Sequence, residues 1–377
     1  MRFNKNLMLK VSIISIFSIK ILIINFFLVQ AQELLGPNFD VLEQNITIPV
    51  LCYHRFGDYA KNDKYAITSE EFKKQLAIIK EEGFLPLTAS QLANILDGQR
   101  PLPAKPILIT IDDGYKDFIK HADPYLSQYD FTATLFVYTQ FIGSRLGLSQ
   151  EQLIFLQNKG YEIGSHTISH PKLTKRRRYE SKQAWLKRVD FELLESRRIL
   201  TEWLGKEVIS LAYPYGLWDQ EVAQAAEKAG YRVMFTVSPG LNSLETPKIR
   251  LKRIMIFQGT KASTFRELLY EKPLAIRSCW PQPGQRSIAP LSKIEVILDP
   301  NQIRKIDTHT LVGQLGNDRL PLKYFSKAGK VVLLFDKPWR AGANLFTLLA
   351  VSKDKKITYK ISWLILTDKK QKERELV

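Results

Sequence analysis

Cysteine is nearly missing from this 377-residue chain: Cys52 and Cys279 are the only two. That excludes a thiol-rich framework; the pair could bridge in an oxidising compartment, but thiols so far apart in sequence read as separate buried residues. No low-complexity tract or internal repeat is visible, and hydrophobic (45%) and charged (25%) fractions exclude disordered and collagen-like classes. Acid is in short supply. Thirty-eight Asp and Glu face 55 Lys and Arg, for a net charge of +17. Such a field favours anionic partners, an acidic polysaccharide or a membrane or envelope surface, over nucleic acid.

The first thirty-one residues contain no acid at all, and losing their four bases would leave 17 − 4 = +13. Met1 to Lys10 is positively charged, Val11 to Val29 is largely apolar, and Val29-Gln-Ala31 offers small residues at a cleavage position. Residues 1–31 therefore read as a signal peptide or, alternatively, an N-terminal anchor interrupted by Lys20. A secreted, periplasmic or cell-envelope location is expected. Residues 32–45 lack periodicity and read as a linker.

The length allows two domains. From residue 46 to 275, strand-like and helix-like runs alternate, as in an α/β domain with a largely parallel sheet or barrel. The spacing predicts helices over Ser69 to Gly83 with Ser69 as N-cap, Ala89 to Gly98, Ser149 to Lys159, Ser181 to Leu204 and Asp219 to Ala229. After a linker at Pro281-Gln-Pro-Gly-Gln, residues 286–367 show short strand-like runs without a convincing helix. Ile357 to Leu366 alternates with period two, and the whole suggests a small β-sandwich.

Four strand ends carry polar chemistry. Pro106-Ile-Leu-Ile-Thr-Ile-Asp-Asp-Gly-Tyr115 is a buried strand delivering two carboxylates at its C-terminal end, where ligands bind in parallel α/β folds. In an extended chain Asp112 and Asp113 would point to opposite sides and could take different tasks. Tyr53-His54 ends another strand. His166-Thr-Ile-Ser-His170 sets two imidazoles four residues apart, and with one Asp they make a two-histidine, one-carboxylate set suited to catalytic zinc or another first-row divalent ion. Tyr213-Pro-Tyr-Gly216 is the fourth. His121 and His309 have no partner motif and read as structural.

Thr110-Ile-Asp-Asp-Gly114, Ser165-His-Thr-Ile-Ser-His170 and Ala212-Tyr-Pro-Tyr-Gly216, in this order and spacing, resemble the polysaccharide deacetylases with a NodB-homology domain (carbohydrate esterase family four). The resemblance covers roughly Ile46 to Leu269 and implies a distorted (β/α) barrel. It implies that Asp113, His166 and His170 hold the metal, that Asp112 is the general base, and that Tyr213 offers its backbone N–H to the oxyanion. Tyr115, Pro214, Tyr215 and Trp218 are candidates for contacting sugar.

Two departures stand out. The family's arginine shortly before Tyr-Pro is replaced by Ser210-Leu-Ala212, and there is no downstream Leu-x-His for the general acid. Pro49-Val-Leu-Cys-Tyr-His-Arg55, however, is similar to the N-terminal motif of the poly-N-acetylglucosamine deacetylase subgroup, which implies His54 as that acid. Arg253 is the candidate for the missing arginine. The resulting expectation is a monomer hydrolysing N-acetyl groups on an extracytoplasmic polysaccharide, with no nucleic-acid partner. The alternative is a non-catalytic glycan-binding or scaffold protein that kept the fold. Truncation near Pro281 is expected to leave a folded enzyme.

Overall fold

The computed structural model describes residues 46–57, 63–288, 291–335 and 342–368; the expected signal or anchor and the linker before residue 46 lie outside these. Val50–Tyr53 (β1) is followed by the short pair Arg55–Phe56 (β2) and Ala66–Ile67 (β3). Helix Ser69–Glu81 (α1) is capped one residue earlier than expected. Thr68 accepts from the Glu71 N–H while Glu71 reaches back to the Thr68 N–H, a reciprocal capping box. Leu85–Leu87 (β4), Ala89–Leu96 (α2) and Pro106–Asp113 (β5) follow. Two short helices, Asp117–His121 (α3) and Asp123–Tyr129 (α4), were not foreseen, because neither is long enough to show a periodic face.

The remaining elements alternate as expected as far as Phe235, after which come a strand at Ile254 and a helix at Ala262 that were not predicted. In chain order these elements are Thr134–Val137 (β6), Gln150–Asn158 (α5), Glu162–Ser165 (β7), Lys182–Leu204 (α6), Ser210–Ala212 (β8), Gln220–Lys228 (α7), Val233–Phe235 (β9), Ile254–Met255 (β10) and Ala262–Leu269 (α8).

The strands form one parallel sheet in the order β10-β1-β5-β6-β7-β8-β9, with β4 added beside β5. A parallel bridge between Phe235 and Leu251 ties the segment leading to β10 back to β9, so the two ends of the path meet and the sheet curls into a distorted barrel. Side chains divide by the two-residue strand period. Val50, Leu108, Phe136, Ala212, Val233 and Phe235 pack inside the curl with Leu92 and Ala93 of α2. Leu51, Ile107, Ile109, Ile111 and Leu135 pack outward against Leu76 of α1, Leu156 of α5 and Leu193 of α6. Asp112 falls in the inward series with Leu108 and Thr110, so the strand carries it into the barrel mouth.

The C-terminal region contains Lys272–Pro273 (β11), Ile276–Trp280 (β12), Arg286–Ile288 (β13), Lys293–Leu298 (β14), Pro300–Lys305 (α9), Ile306–Leu315 (β15), Asp318–Leu320 (β16), Leu322–Phe325 (β17), Lys330–Leu334 (β18), Gly342–Ser352 (β19) and Thr358–Asp368 (β20). A six-stranded sheet, β11-β20-β19-β15-β16 with β13 also on β20, shares one core with a four-stranded sheet, β12-β14-β18-β17. Ile294, Val296 and Val331 of the smaller sheet meet Phe346, Leu348, Trp363 and Ile365 of the larger.

Three expectations need correction here. The region expected to hold no helix contains α9, with Asp299 as its N-cap and Pro300 as its first residue. The β-rich region starts at β11 and β12, upstream of Pro281, since both pair with later strands. The Pro281-to-Gln285 stretch is also bound to the barrel: the Gln220 N–H donates to the Gly284 carbonyl at 3.3 Å, and a Cβ on Gly284 would strike the Trp218 ring at 2.5 Å.

Candidate active site

Asp112 ends the inward face of β5 and is 2% exposed. Its two oxygens receive both terminal nitrogens of Arg253, at 2.7 and 2.8 Å, and the Cys52 thiol donates weakly from 3.6 Å. Burial pushes this carboxyl up, but the guanidinium charge, aided by His166 and by the two hydrogen bonds from Arg253, outweighs it and holds the group below the usual carboxylate range. Arg253 is itself fully buried, with Nε donating to the Thr236 carbonyl at 2.8 Å. The structure thus supplies an arginine to the position left empty before Tyr213, from the segment just ahead of β10.

Asp113 is the last residue of β5 but does not keep its extended backbone. Its φ of 76° turns the backbone into the left-handed region, so that its carboxylate joins the mouth instead of facing the helices as an extended residue would. Gly114 follows at φ +86°, where a Cβ would meet Val137 at 2.9 Å. Thr167 (φ 72°), His170 (φ 55°) and Tyr215 (φ 59°) share this uncommon conformation, and all border the same mouth.

The histidine loop is braced from below. The His166 N–H donates to Val137 at the end of β6, and Glu192 of α6, 6% exposed, accepts from the backbone N–H groups of Ile168 and Ser169, both at 3.0 Å, and from the Ser169 hydroxyl at 2.5 Å. His166 Nδ1 donates to the Ala212 carbonyl at 2.6 Å, which leaves a lone pair on Nε2 facing the cavity. His170 Nε2 stands 3.1 Å from it, and Asp113 Oδ1 lies 3.8 Å from His166 Nε2 and 3.6 Å from His170 Nε2.

These three atoms fit a metal ion. Donors at about 2.0–2.1 Å from a tetrahedral zinc stand about 3.3 Å apart, close to the sides of this triangle. The charge state fits too. Burial pulls the His166 imidazole down to about 3 and lowers His170, so both are neutral ligands. Burial, then the charge of Asp112, pushes the Asp113 carboxyl up to about 7, the position of an anion lacking a cation. Cys52, His54 and Asp112 form a second cluster beside the first, and there the Arg253 ion pair already neutralises the carboxylate.

His54 enters from the end of β1, next to Asp112. Its Nδ1 is buried without a hydrogen-bond partner among the described residues, and its ring lies 5.0 Å from that of Tyr65. Burial lowers its pKa, with Asp112 pulling the other way.

The predicted sugar contacts divide. Tyr215 is half exposed with its ring 4.6 Å from His170, and Tyr115 is half-buried beneath the Arg55 guanidinium. Pro214 is buried, and Trp218 is 4% exposed, packed along Tyr213 and under Gly284, so neither faces a substrate. Tyr213 also requires correction. Its N–H donates to the Phe235 carbonyl at 3.0 Å as part of the β8–β9 ladder, so it is not free for an oxyanion; two residues on, the Tyr215 N–H has no backbone acceptor among the described residues. Sequence reasoning also missed Tyr138, whose ring is 5.3 Å from His170, and Glu192. Glu192 had a signal: an acid at helical spacing from Val189 and Ser196 on the buried face of α6.

A curled parallel sheet with two neutral imidazoles, one carboxylate and an arginine-held aspartate at its C-terminal mouth is an arrangement suited to a metal-dependent hydrolase, and comparison with known proteins places it beside the polysaccharide deacetylases. Residues 99–234 match the family model described as polysaccharide deacetylase, and the chain carries that domain. Over 209 residues it is 27% identical to the poly-beta-1,6-N-acetyl-D-glucosamine N-deacetylase of Staphylococcus epidermidis, covering 54% of this chain and 72% of that one. Among solved structures, the Streptococcus pyogenes deacetylase PplD in complex with acetate superposes with a TM-score of 0.55 at 25% identity, covering 59% of this chain and 98% of that one. BC0361, a polysaccharide deacetylase from Bacillus cereus, gives 0.52 at 25% identity over 59% and 69%.

Proposed function

We propose that the protein removes N-acetyl groups from an extracytoplasmic, poly-N-acetylglucosamine-like, chitin-like or peptidoglycan polysaccharide, releasing acetate, with a divalent metal, zinc in the first place, at Asp113, His166 and His170. The observation that carries this is the triangle of lone-pair atoms from those residues, set beside a carboxylate that Arg253 keeps ionised. A bound divalent ion supplies Lewis acidity, lowering the pKa of water and polarising the acetyl carbonyl.

The chain's own groups supply the rest. Asp112, ionised but weakly basic, accepts the proton of the attacking water through a lone pair of Oδ2, the oxygen 3.9 Å from His166 Nε2. The Tyr215 N–H takes the oxyanion role first expected of Tyr213, a contribution on the order of 3 kcal/mol for one well-placed donor. His54 delivers a proton to the departing amine, which would otherwise be a poor leaving group. Exposed rings flank the mouth on both sides, Tyr65 and Phe257 near His54 and Tyr215 near His170, and offer flat surfaces to pyranose faces. The non-catalytic reading drew on the missing arginine and on the β-rich C-terminal region; the ion pair of Arg253 with Asp112 supports the catalytic reading instead. Export is supported by the composition of the first thirty-one residues, and the basic charge suits an anionic envelope surface.

Acetate release from poly-N-acetylglucosamine, chitin and peptidoglycan fragments, with and without chelator, tests the proposal. Chelator-sensitive release from one of the three is expected. No release from any of them by metal-loaded protein would overturn it.

A further inference from the structure

A cavity of about 600 Å³ lies at the seam between the barrel and the C-terminal sheets, and none of the Asp and His groups of the active site lines it. Its walls come from both sides: Trp218, Arg250 and Lys252 from the barrel, Arg277, Cys279 and Trp363 from β12 and β20. Three features set it apart from an ordinary packing gap.

The first is charge. Arg250 and Lys252 are half-buried two residues apart, and among the described residues neither side chain makes an ion pair or hydrogen bond, nor does that of Arg277. Burial lowers the pKa of both Arg250 and Lys252, and Arg250 lowers that of Lys252 further. Adjacent half-buried cations without a paired acid are costly unless an anion joins them. Glu245 is the one acid among the lining residues; it is exposed and pairs with no cation among the described residues, while nearby Glu271, whose charge pulls the Lys252 pKa partway back up, is itself paired with Lys360. The second feature is a donor without an acceptor. The Trp363 indole N–H is buried and has no hydrogen-bond partner among the described residues, although a buried indole N–H ordinarily finds one. The third is size, since about 600 Å³ falls within the range of small-molecule sites and exceeds what a lone ion fills.

The geometry points to an oxyanion-binding site at this seam that takes a carboxylate- or phosphate-bearing sugar through Arg250, Lys252 and Arg277. The guanidinium and ammonium groups hold the charged end, and the polar and aromatic walls enclose the ring. The site goes beyond the deacetylase reading and does not depend on it. A ligand seated there would touch both halves of the molecule at once, so it would also hold them together.

The full chain titrated with trigalacturonate, glucose 6-phosphate, inorganic phosphate or chitotriose, followed by tryptophan fluorescence and thermal shift, tests the assignment. One or both charged sugars should bind, raise the melting temperature and weaken as salt is added, and chitotriose should do neither. Binding should persist in Asp112→Asn, which separates it from the catalytic groove, and fall tenfold or more in the double variant Arg250→Gln/Lys252→Gln. Equal binding of chitotriose, inorganic phosphate as tight as the charged sugars, or unchanged affinity in the double variant would overturn it. If that variant does not fold, Arg277→Gln, at an exposed position, decides: several-fold weaker binding supports the site, and unchanged affinity rejects it.

Discussion

Removing one donor from the Asp113, His166 and His170 triangle leaves two, too few to hold an ion in an open site. Alanine at any of the three should therefore abolish metal content and acetate release together, checked by elemental analysis beside the activity assay. Asp112→Asn should behave differently: full metal, with most turnover gone, because an amide cannot accept the water proton. His54→Ala should also keep its metal while losing roughly 10²-fold or more in turnover on an N-acetyl glycan. An activated acetate ester, whose leaving group needs no proton, should suffer much less, and an equal loss on both would make His54 structural. The pH profile carries a further sign. Burial lowers the folded pKa of His54, so the imidazole gives up its proton below its ordinary value of about 6.5. The alkaline limb of kcat/KM set by that group should fall below that value in the wild type and vanish in the alanine variant.

At the level of elements, the strand ends were readable because an apolar run that stops in a charged or imidazole side chain is visible in sequence, as with Ile107 to Asp113 and Tyr53-His54. What the pattern could not show was which backbone donor stays free. Tyr213 and Tyr215 sit on either side of one proline, and only the pairing of β8 with β9 removes the first. Nor could it show that Asp113 leaves the strand conformation, or that Trp218 turns inward under Gly284. Arg253 was readable only as a basic residue of the right type, since its approach to Asp112 depends on the bridge from Leu251 to Phe235. The histidine loop yields a test at this scale. Glu192→Ala strips three donors of their acceptor while touching no proposed ligand, so metal affinity should drop 10- to 100-fold, the usual cost of losing an orienting partner, and Glu192→Gln should recover part of it. Unchanged metal affinity in the alanine variant would show that the loop holds its shape unaided.

For the whole molecule, two of the charge clusters that link distant parts of the chain matter most. Arg286 of β13 reaches Asp219 and the Thr174 carbonyl on the barrel, both at 2.7 Å, and Asp368 at the end of β20. Burial pushes the Asp219 carboxyl up against the opposing pull of the Val222 N–H and Arg286. Cutting the chain near Pro281 removes this arginine and the cover over Trp218, so the truncated barrel should be strongly destabilised instead of independently stable, a revision of the expectation drawn from the linker composition. Circular dichroism melts of the full chain should show one transition, and a truncated form melting at the same temperature would count against the linkage.

The second pair is Asp112 with Arg253. Arg253→Met leaves a buried carboxylate alone and should cost about 3–5 kcal/mol at neutral pH. Because the folded pKa of Asp112 is depressed, the pair's stabilisation is complete above the unfolded value of about 3.9 and is lost as the pH falls below it. The melting-temperature gap between wild type and variant should accordingly narrow in acid. The same separation along the chain governs how the protein is made. Asp112 and Arg253 are 141 residues apart, so at about 5–20 residues per second the ribosome adds the guanidinium roughly 7–28 s after the carboxylate. Throughout that interval β5 has no partner for its inward charge, and the nascent barrel has reason to remain open until its last strand arrives.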